Sequence, residues 1–373
     1  MHKIALHYAL TPPVAGASPL IRNPLLDMLH AVQEQGSISA AAREMGLSYR
    51  HVWGELRRWE QELGGELLVW EKGQSARLSP FGDKLLWAER QAQARLAPQI
   101  EALRADLERA FAVAFDPGAH VVTLYASHDD ALTALREHAT RAAQLHLDVR
   151  FTGSVDAISA LNEGRCTMAG FHTLVQPARD SLAARTYRPL LKPGLHKVIG
   201  FARRDQGLIV ARGNPLGLHA LADLCRPDVR FVNRTLGTGT RLVLDELLQR
   251  DGLAPEQIRG YHGHAEPSHA AVAQSVAAGS ADAGLGIASA AQAKGLDFVP
   301  LVQERYHLVC LKAALAQPAI QSLLQVLQQP AWHHQLGTIA GYVPDQCGSV
   351  LPLSRELPWW HFQRAGRAVA TAA

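Results

Sequence analysis

The chain has 373 residues, 47% hydrophobic and 19% charged, which is more than one ordinary domain holds and describes a globular protein of two or three. A formal net charge of +3 excludes a bulk polycation, so any nucleic-acid contact must rest on local placement of basic side chains. Cys166, Cys225, Cys310 and Cys347 are scattered without CxxC spacing, which excludes a zinc knuckle or disulfide framework and points to a reducing compartment.

No apolar run reaches the roughly 18 residues a membrane span needs. The opening MHKIALHYALTPPVAG is broken by His and Pro, unlike a secretory leader, so a cytoplasmic protein is expected. Ile4 to Ala9 reads as a short strand before a Pro/Gly-rich connector, and Pro24 to Gln35 as a helix facing Leu25, Leu26, Leu29 and Val32 inward.

From Ser37 to Gly64 the chain reads SISAAAREMGLSYRHVWGELRRWEQELG. Ala40, Ala41 and Ala42 let one helix approach another. Gly46 ends it in the left-handed conformation, and Ser48 caps the next helix. Val52, Leu56, Trp59 and Leu63 then form a stripe at helical spacing, leaving Tyr49, Arg50, Trp53, Arg57 and Arg58 at its edges, where a recognition helix meets DNA. Glu66 to Trp70 and Ala76 to Leu78 read as the two strands of a wing, and Ser79-Pro80-Phe81-Gly82 opens a long helix. The expected DNA-contacting set is Ser37, Ser48, Tyr49, Arg50, Trp53, Arg57, Arg58, Lys72 and Arg77. The plainer alternative is a helical hairpin in an all-α core.

Pro80 to about Phe115 reads as one helix, kinked or offset at Pro98. Leu96, Ile100, Leu103, Leu107 and Ala110 alternate steps of four and three, a coiled-coil seam suited to a dimer. After Asp116-Pro117-Gly118 strands and helices alternate, implying a parallel, doubly wound sheet. The expected strands are Val121 to Tyr125, Leu147 to Phe151, Thr167 to Phe171, Arg230 to Asn233, Ala281 to Ile287, Phe298 to Leu301 and Tyr306 to Leu311. Lys197 to Val210 gives one or two more. Helices are expected from Asp129 to Leu145, Ser154 to Glu163, Thr238 to Arg250, Ser268 to Ala278, Ile320 to Leu327 and Pro330 to Leu336. The tail from Pro358 reads as a surface segment.

Asn233, Arg234, Thr235, Leu236, Gly237, Thr238, Gly239, Thr240 and Arg241 place a glycine-bearing turn between a strand and a helix, a combination that offers free N–H groups and hydroxyls to an anion. It is not a Walker A loop, since GxxxxGK[ST] is missing. Ser127-His128-Asp129, Gly153-Ser154 and Gly170-Phe171-His172-Thr173 end strands on the same side, where ligands bind in such sheets. Taken singly each is only a helix cap. Together they suit an oxyanion or the phosphate of a larger ligand. His262, His264 and His269 follow no metal-ligand pattern, and no metal is expected. Asp129 and Asp130 are adjacent, so their side chains point apart, and no GxSxG or HExxH is present; no catalytic residue is expected.

Residues Leu25 to Leu86, through GSISAAAREMGLSYRHVW and LSPFGDKLL, resemble the winged helix of LysR-type regulators and, more closely, of the molybdate-responsive ModE family. Residues 119 to 340, through FVNRTLGTGTRLVLDELL and SHAAVAQSVAAGSADAGLGIASAA, resemble type II periplasmic-binding-protein folds, in the cytosolic form associated with molybdopterin biosynthesis. The resemblance implies an α+β and α/β chain. A winged helix-turn-helix would occupy residues 20–82, a linker and dimerisation helix 83–115, and a two-lobed ligand-binding domain 119–345. Lobe I would take about 119–202 and 300–345, lobe II about 203–299, with a tail at 346–373. It also implies that His269 opens a helix beside the cleft and that Gly284 sits on the neighbouring strand.

The expected ligand-binding set is therefore Ser127, His128, Asp129, Ser154, His172, Asn233, Arg234, Gly237, Thr238, Gly239, Thr240, Arg241, His269 and Gly284. The expected function is a non-enzymatic transcription regulator, a homodimer or tetramer on double-stranded operator DNA. Its effector would be molybdate, tungstate or a molybdopterin-type cofactor, with no covalent cofactor. The small β-barrel oxyanion modules of the molybdate regulator are missing from this sequence, so the effector need not be the same. The alternative is a cytosolic oxyanion-binding protein that regulates no gene directly.

Overall fold

The computed structural model describes residues 23–69, 76–115 and 120–360. The expected strand Ile4 to Ala9, Lys72 of the wing and the end of the tail lie outside them. The chain forms two compact units, Met1–Glu89 and Arg90–Ala373.

In the first unit, α1 (Pro24–Gln35) starts on Asn23, whose Oδ1 accepts from the Leu25 amide at 3.0 Å, and has Pro24 in its first turn. Its face Leu25, Met28, Leu29 and Val32 is buried. Ser37 caps α2 (Ile38–Glu44), where Ala41 and Ala42 are buried and allow the close approach. Gly46 takes φ 66°, and the Leu47 amide then returns to the Ala42 carbonyl at 2.8 Å. Ser48 caps α3 (Tyr49–Leu63), which buries Val52 and Leu56 and half-buries Trp59 and Leu63. The wing strands are β1 (Leu68–Val69) and β2 (Arg77–Leu78). Glu60 ties α3 to the wing, accepting from the Leu67 amide at 2.8 Å and the Leu68 amide at 3.3 Å. The Ser79 hydroxyl accepts from the Gly82 amide and begins α4 (Pro80–Phe115), one helix that includes Pro98.

The second unit opens with β3 (His120–Ala126), α5 (Asp130–Ala143), β4 (Leu145–Phe151), α6 (Ser154–Asn162), β5 (Met168–Leu174) and α7 (Leu182–Tyr187). α5 stops two residues before the expected Leu145, because Gln144 turns left-handed at φ 49° and Leu145 already pairs in the sheet. β6 (His196–Val210) is one 15-residue strand. β7 (Phe231–Arg234), α8 (Gly239–Asp251), β8 (Ala265–Glu266), α9 (His269–Ala277), β9 (Ala283–Ile287) and α10 (Ala288–Gln292) follow. β10 (Asp297–Leu311) is also continuous, where two strands were expected. Its middle is held to β6 by pairs such as Glu304 with Arg204, so the charged residues that read as a break lie inside the sheet. α11 (Pro318–Gln328), α12 (Pro330–Gly337), β11 (Tyr342–Pro344), β12 (Val350–Pro352) and α13 (Leu353–Glu356) close the unit.

The strand order β4-β3-β5-β10-β6-β9-β7-β8 makes two parallel sets joined by the antiparallel pair β6 and β10. β5 pairs with residues 304–309 of β10, and β9 with residues 206–210 of β6. The two long strands therefore cross from one lobe to the other near Arg204, Gln206 and Glu304. Separate apolar cores sit on either side, one around Leu124, Leu132 and Leu323, the other around Leu224, Leu244 and Leu285. The tail departs from its expected surface position at Trp359, which is 1% exposed and packs on Tyr187 with ring centroids 6.3 Å apart. An indole buries more apolar area than its polar neighbours can hold in solvent.

Candidate nucleic-acid interface and ligand cleft

On α3, Tyr49 and Trp53 are 50% and 41% exposed, unusual for large aromatic side chains on a small unit, and Arg50 is exposed beside them. Arg57 pairs with Glu60 at 2.8 Å and stands 5.6 Å from the centroid of the Trp53 ring. Arg58 pairs with Glu55 at 2.6 Å. Exposed pairs at this spacing contribute only about 0.3–0.5 kcal/mol, so a phosphate can readily displace the carboxylate. Ser37 and Ser48 use their hydroxyls as helix caps, accepting from the Ala40 and His51 amides. Arg77 is exposed on β2.

In the second unit the crossing of β6 and β10 carries a buried polar floor. The Arg204 guanidinium is held between the carboxylates of Asp129 and Glu304 and donates to the Tyr342 hydroxyl at 3.1 Å. Burial pushes the Asp129 and Glu304 carboxyls up and Arg204 opposes it; the paired carboxylates hold Arg204 well above its ordinary value despite its own burial. Gln206 donates to Glu304 and to the Thr240 hydroxyl, both at 3.0 Å. Tyr306 stands opposite His172 across the β10–β5 ladder, their rings 4.0 Å apart.

Four loop ends meet this floor. Gly153, before α6, comes so close to the β7–α8 turn that an added Cβ would lie 2.6 Å from the Gly237 carbonyl oxygen. At Gly239 a Cβ would lie 2.9 Å from His172 Nδ1. Only glycine lets these backbones approach. Thr238 caps α8, and the Thr240 hydroxyl reaches His269 Nε2 at 3.4 Å. Ser127 and Ser154 are buried, Ser154 beside the Tyr187 hydroxyl. Arg234 is 2% exposed, with Nε and Nη1 unpaired among the described residues. Burial and the neighbouring Arg204 push it down to about 9, against the pull of Glu266; it is still charged at neutral pH. Burial, with Arg204 and Arg234 nearby, holds His172 and His269 well below the usual imidazole range, so both are neutral.

Of the expected ligand set, Ser127, Ser154, His172, Arg234, Gly239, Thr240 and His269 come together here, with Gly237 and Thr238 at the turn. Others are engaged elsewhere. Arg241 binds Asp245 at 3.0 Å and lies over Tyr261, away from the floor. Asn233 braces its own turn by donating to the Tyr261 carbonyl. Asp129 caps α5 and holds Arg204. His128 lies at the edge, 3.4 Å from Glu101 of α4. Gly284 is a packing position, where a Cβ would meet Val272 Cγ1 at 2.4 Å. His262 and His264 are exposed, while His269 is buried, so the three histidines form no cluster.

Residues 118–328, more than half of the chain, match the PBP superfamily domain, and residues 25–83 match the bacterial regulatory helix-turn-helix protein of the lysR family. The chain belongs to the PBP superfamily and carries a LysR-type DNA-binding unit. Two curated relatives carry the description of an uncharacterised protein. YvgK of Bacillus subtilis is 29% identical over 63% of this chain and 75% of its own length. A Clostridium pasteurianum protein, encoded in the 5′ region of a ferredoxin 2Fe-2S gene, is 33% identical over 30% of this chain and 97% of its own. Among solved structures, an OxyR mutant of Corynebacterium glutamicum with hydrogen peroxide bound is 17% identical, with a TM-score of 0.42 over 84% of this chain and 95% of that one. CbnR complexed with its target DNA is 18% identical, with a TM-score of 0.40 over 81% and 98%.

The floor residues Arg204, Gln206, Glu304, Tyr306 and Tyr342 of this PBP-superfamily domain were not among the expected site residues. A signal was present: Arg204 and Gln206, and Glu304 and Tyr306, stand two apart inside long apolar strands, which puts each pair on one face. A second missed set ties α4 to this domain. Arg95 makes a two-pronged pair with buried Glu266, at 3.0 and 3.2 Å, and Glu266 also accepts from Ser275 at 2.8 Å. Glu266 stands beside Arg234 in the β7–β8 register. The Ser268 hydroxyl donates to the Ala94 carbonyl, and Glu101 accepts from Thr133. Among the described residues no helix is long and apolar enough to cross a membrane.

Proposed function

We propose that this chain is a LysR-type transcriptional regulator that works in the cytoplasm as a homodimer, binds a small anion in the cleft between its lobes, and changes operator binding in response. The observation that carries this reading is Arg234, a buried cation whose Nε and Nη1 have no partner among the described residues. Burying an uncompensated guanidinium costs several kcal/mol, and an anion at the start of α8 would remove that cost. Molybdate, tungstate and a molybdopterin-type cofactor are the candidate effectors, on the likeness of the winged helix to ModE. Support for a dimer comes from α4, where Leu96 and Leu103 are 42% and 60% exposed on the heptad seam.

The division of labour is testable by gel shift and calorimetry on the same variants. Arg57→Ala with Arg58→Ala should weaken operator binding and lower the salt dependence by about 0.9 for each phosphate no longer neutralised, with effector affinity unchanged. Equal loss of both affinities would sink the assignment.

The contacts of α4 supply a route from cleft to helix. A ligand that neutralises Arg234 alters the field at Glu266, which Arg95 grips from α4. Ligand must bind the two states differently for this to shift operator affinity. Arg95→Ala is expected to keep both affinities and remove most of the effector's influence on DNA binding, read as the ratio of operator affinities with and without effector. An unchanged ratio would rule out this route.

A further inference from the structure

We infer that the cleft ligand is an anion that itself donates a hydrogen bond, and is not a bare tetrahedral dianion. This rests on the reading of the cleft as an anion site and narrows its candidate effectors, setting molybdate and tungstate behind an anion that keeps a proton.

Charge sets the first limit. Two arginines, Arg204 and Arg234, face two carboxylates, Asp129 and Glu304, all buried. The other buried carboxylate nearby, Glu266, has its own arginine in Arg95. The sum is close to neutral, but Arg204 is shared by both carboxylates and Arg234 is left to meet about one negative charge from a ligand. A ligand of two full negative charges would leave one of them uncompensated in a site where burial already disfavours charge.

Unpaired atoms set the second limit. Arg234 Nε and Nη1, the Ser127 hydroxyl and the Tyr306 hydroxyl have no partner among the described residues, and these answer an anionic group. Unpaired beside them are two acceptors, Glu304 Oε2 and Gln206 Oε1, each on a side chain that is 0% exposed. The orientation of Gln206 is dictated by chemistry: its nitrogen faces the Glu304 carboxylate, so its oxygen must point the other way. The His172 ring feels both Arg204 and Arg234 and packs on Tyr306, which joins the donor group to the acceptor group across the cleft. A ligand that satisfies the arginine and offers no proton would set its lone pairs against those of Glu304. One that carries an O–H or N–H completes both halves.

Tetrahedral anions of one shape separate the two cases. Near neutral pH phosphate and arsenate retain an O–H, whereas sulfate, molybdate and tungstate have none. Calorimetric titration of the full-length protein should find phosphate and arsenate at least about tenfold tighter than the other three, the worth of one buried acceptor left unpaired. In Glu304→Gln, which replaces the acceptor with an N–H, that preference should shrink or reverse. The wild-type ranking stands on its own if this variant folds poorly. Sulfate, molybdate or tungstate binding the wild type as tightly as phosphate would overturn the inference while leaving the anion site intact. Failure of all five to bind, or binding that survives Arg234→Ala, would overturn the anion reading beneath it.

Discussion

Arg204→Met is expected to cost the second unit about 3–5 kcal/mol, the penalty for removing one partner from a buried ion-pair network. Domains of this kind have only about 5–15 kcal/mol in total, so the loss brings the unit near unfolding. The cause is specific. Asp129 and Glu304 each lose their only cationic partner among the described residues, and Tyr342 loses its donor from β6. Because β6 and β10 cross between lobes at this point, the damage reaches both cores. Urea unfolding followed by circular dichroism measures it. Combining Arg204→Met with Asp129→Asn and Glu304→Gln should recover much of the loss, since neutral groups tolerate burial far better than orphaned charges. A midpoint for Arg204→Met equal to wild type would show that the network contributes nothing to the fold.

That network also marks where the sequence stopped being legible. The winged helix was legible because its determinants are local: Asn23, Ser37 and Ser48 cap helices that start at the next residue, and Gly46 turns between them. The alternation of strands and helices was legible for the same reason. Glu304 and Arg204 were not, because each makes the other burial-tolerant from 100 positions away. Seen alone, Gln303-Glu304-Arg305 reads as a polar loop, which split β10 in two and hid the floor of the cleft. Trp359 failed similarly, its burial depending on Tyr187 and not on its polar and basic neighbours in sequence. The GTGT turn was found from its spacing, but Arg234 and Arg241 could not be told apart there. Only the fold shows that Asp245 occupies Arg241 and that nothing among the described residues occupies Arg234 Nε or Nη1.

The Glu266–Arg95 pair couples α4 to the cleft. Glu266 is shared between an arginine on α4 and the field of Arg234, and Ser275 of α9 holds it in place. Glu101 on α4 meets His128 and Thr133, which flank the start of α5 in the other lobe. One helix therefore touches loops from both lobes, and a change in their separation cannot leave all its contacts intact.

Acid should destabilise the second unit steeply below about pH 6.5, through three imidazoles. Burial holds His172 and His269 well below the ordinary value, and burial with Arg305 nearby pushes His307 down to about 3. All three stay neutral in the folded state while the unfolded chain takes up protons near 6.5. The unfolded state then binds more protons, so stability falls as pH falls. Each histidine contributes about 1.4 kcal/mol per pH unit below 6.5, or about 4 kcal/mol per unit together. Asp129 and Glu304 act the other way, because carboxyls raised on folding gain stability as pH drops through their folded values. His196 is lowered by burial as well, and Glu108 and Glu246 are raised like the other two carboxyls, so the net slope is smaller than the imidazole sum. Urea midpoints between about pH 7.5 and 5 test the sign, and His172→Asn should flatten the slope by roughly one histidine's share, about 1.4 kcal/mol per unit. A midpoint that holds constant over that range would mean the buried imidazoles take up protons in the folded state, which their neighbours Arg204, Arg234 and Arg305 oppose.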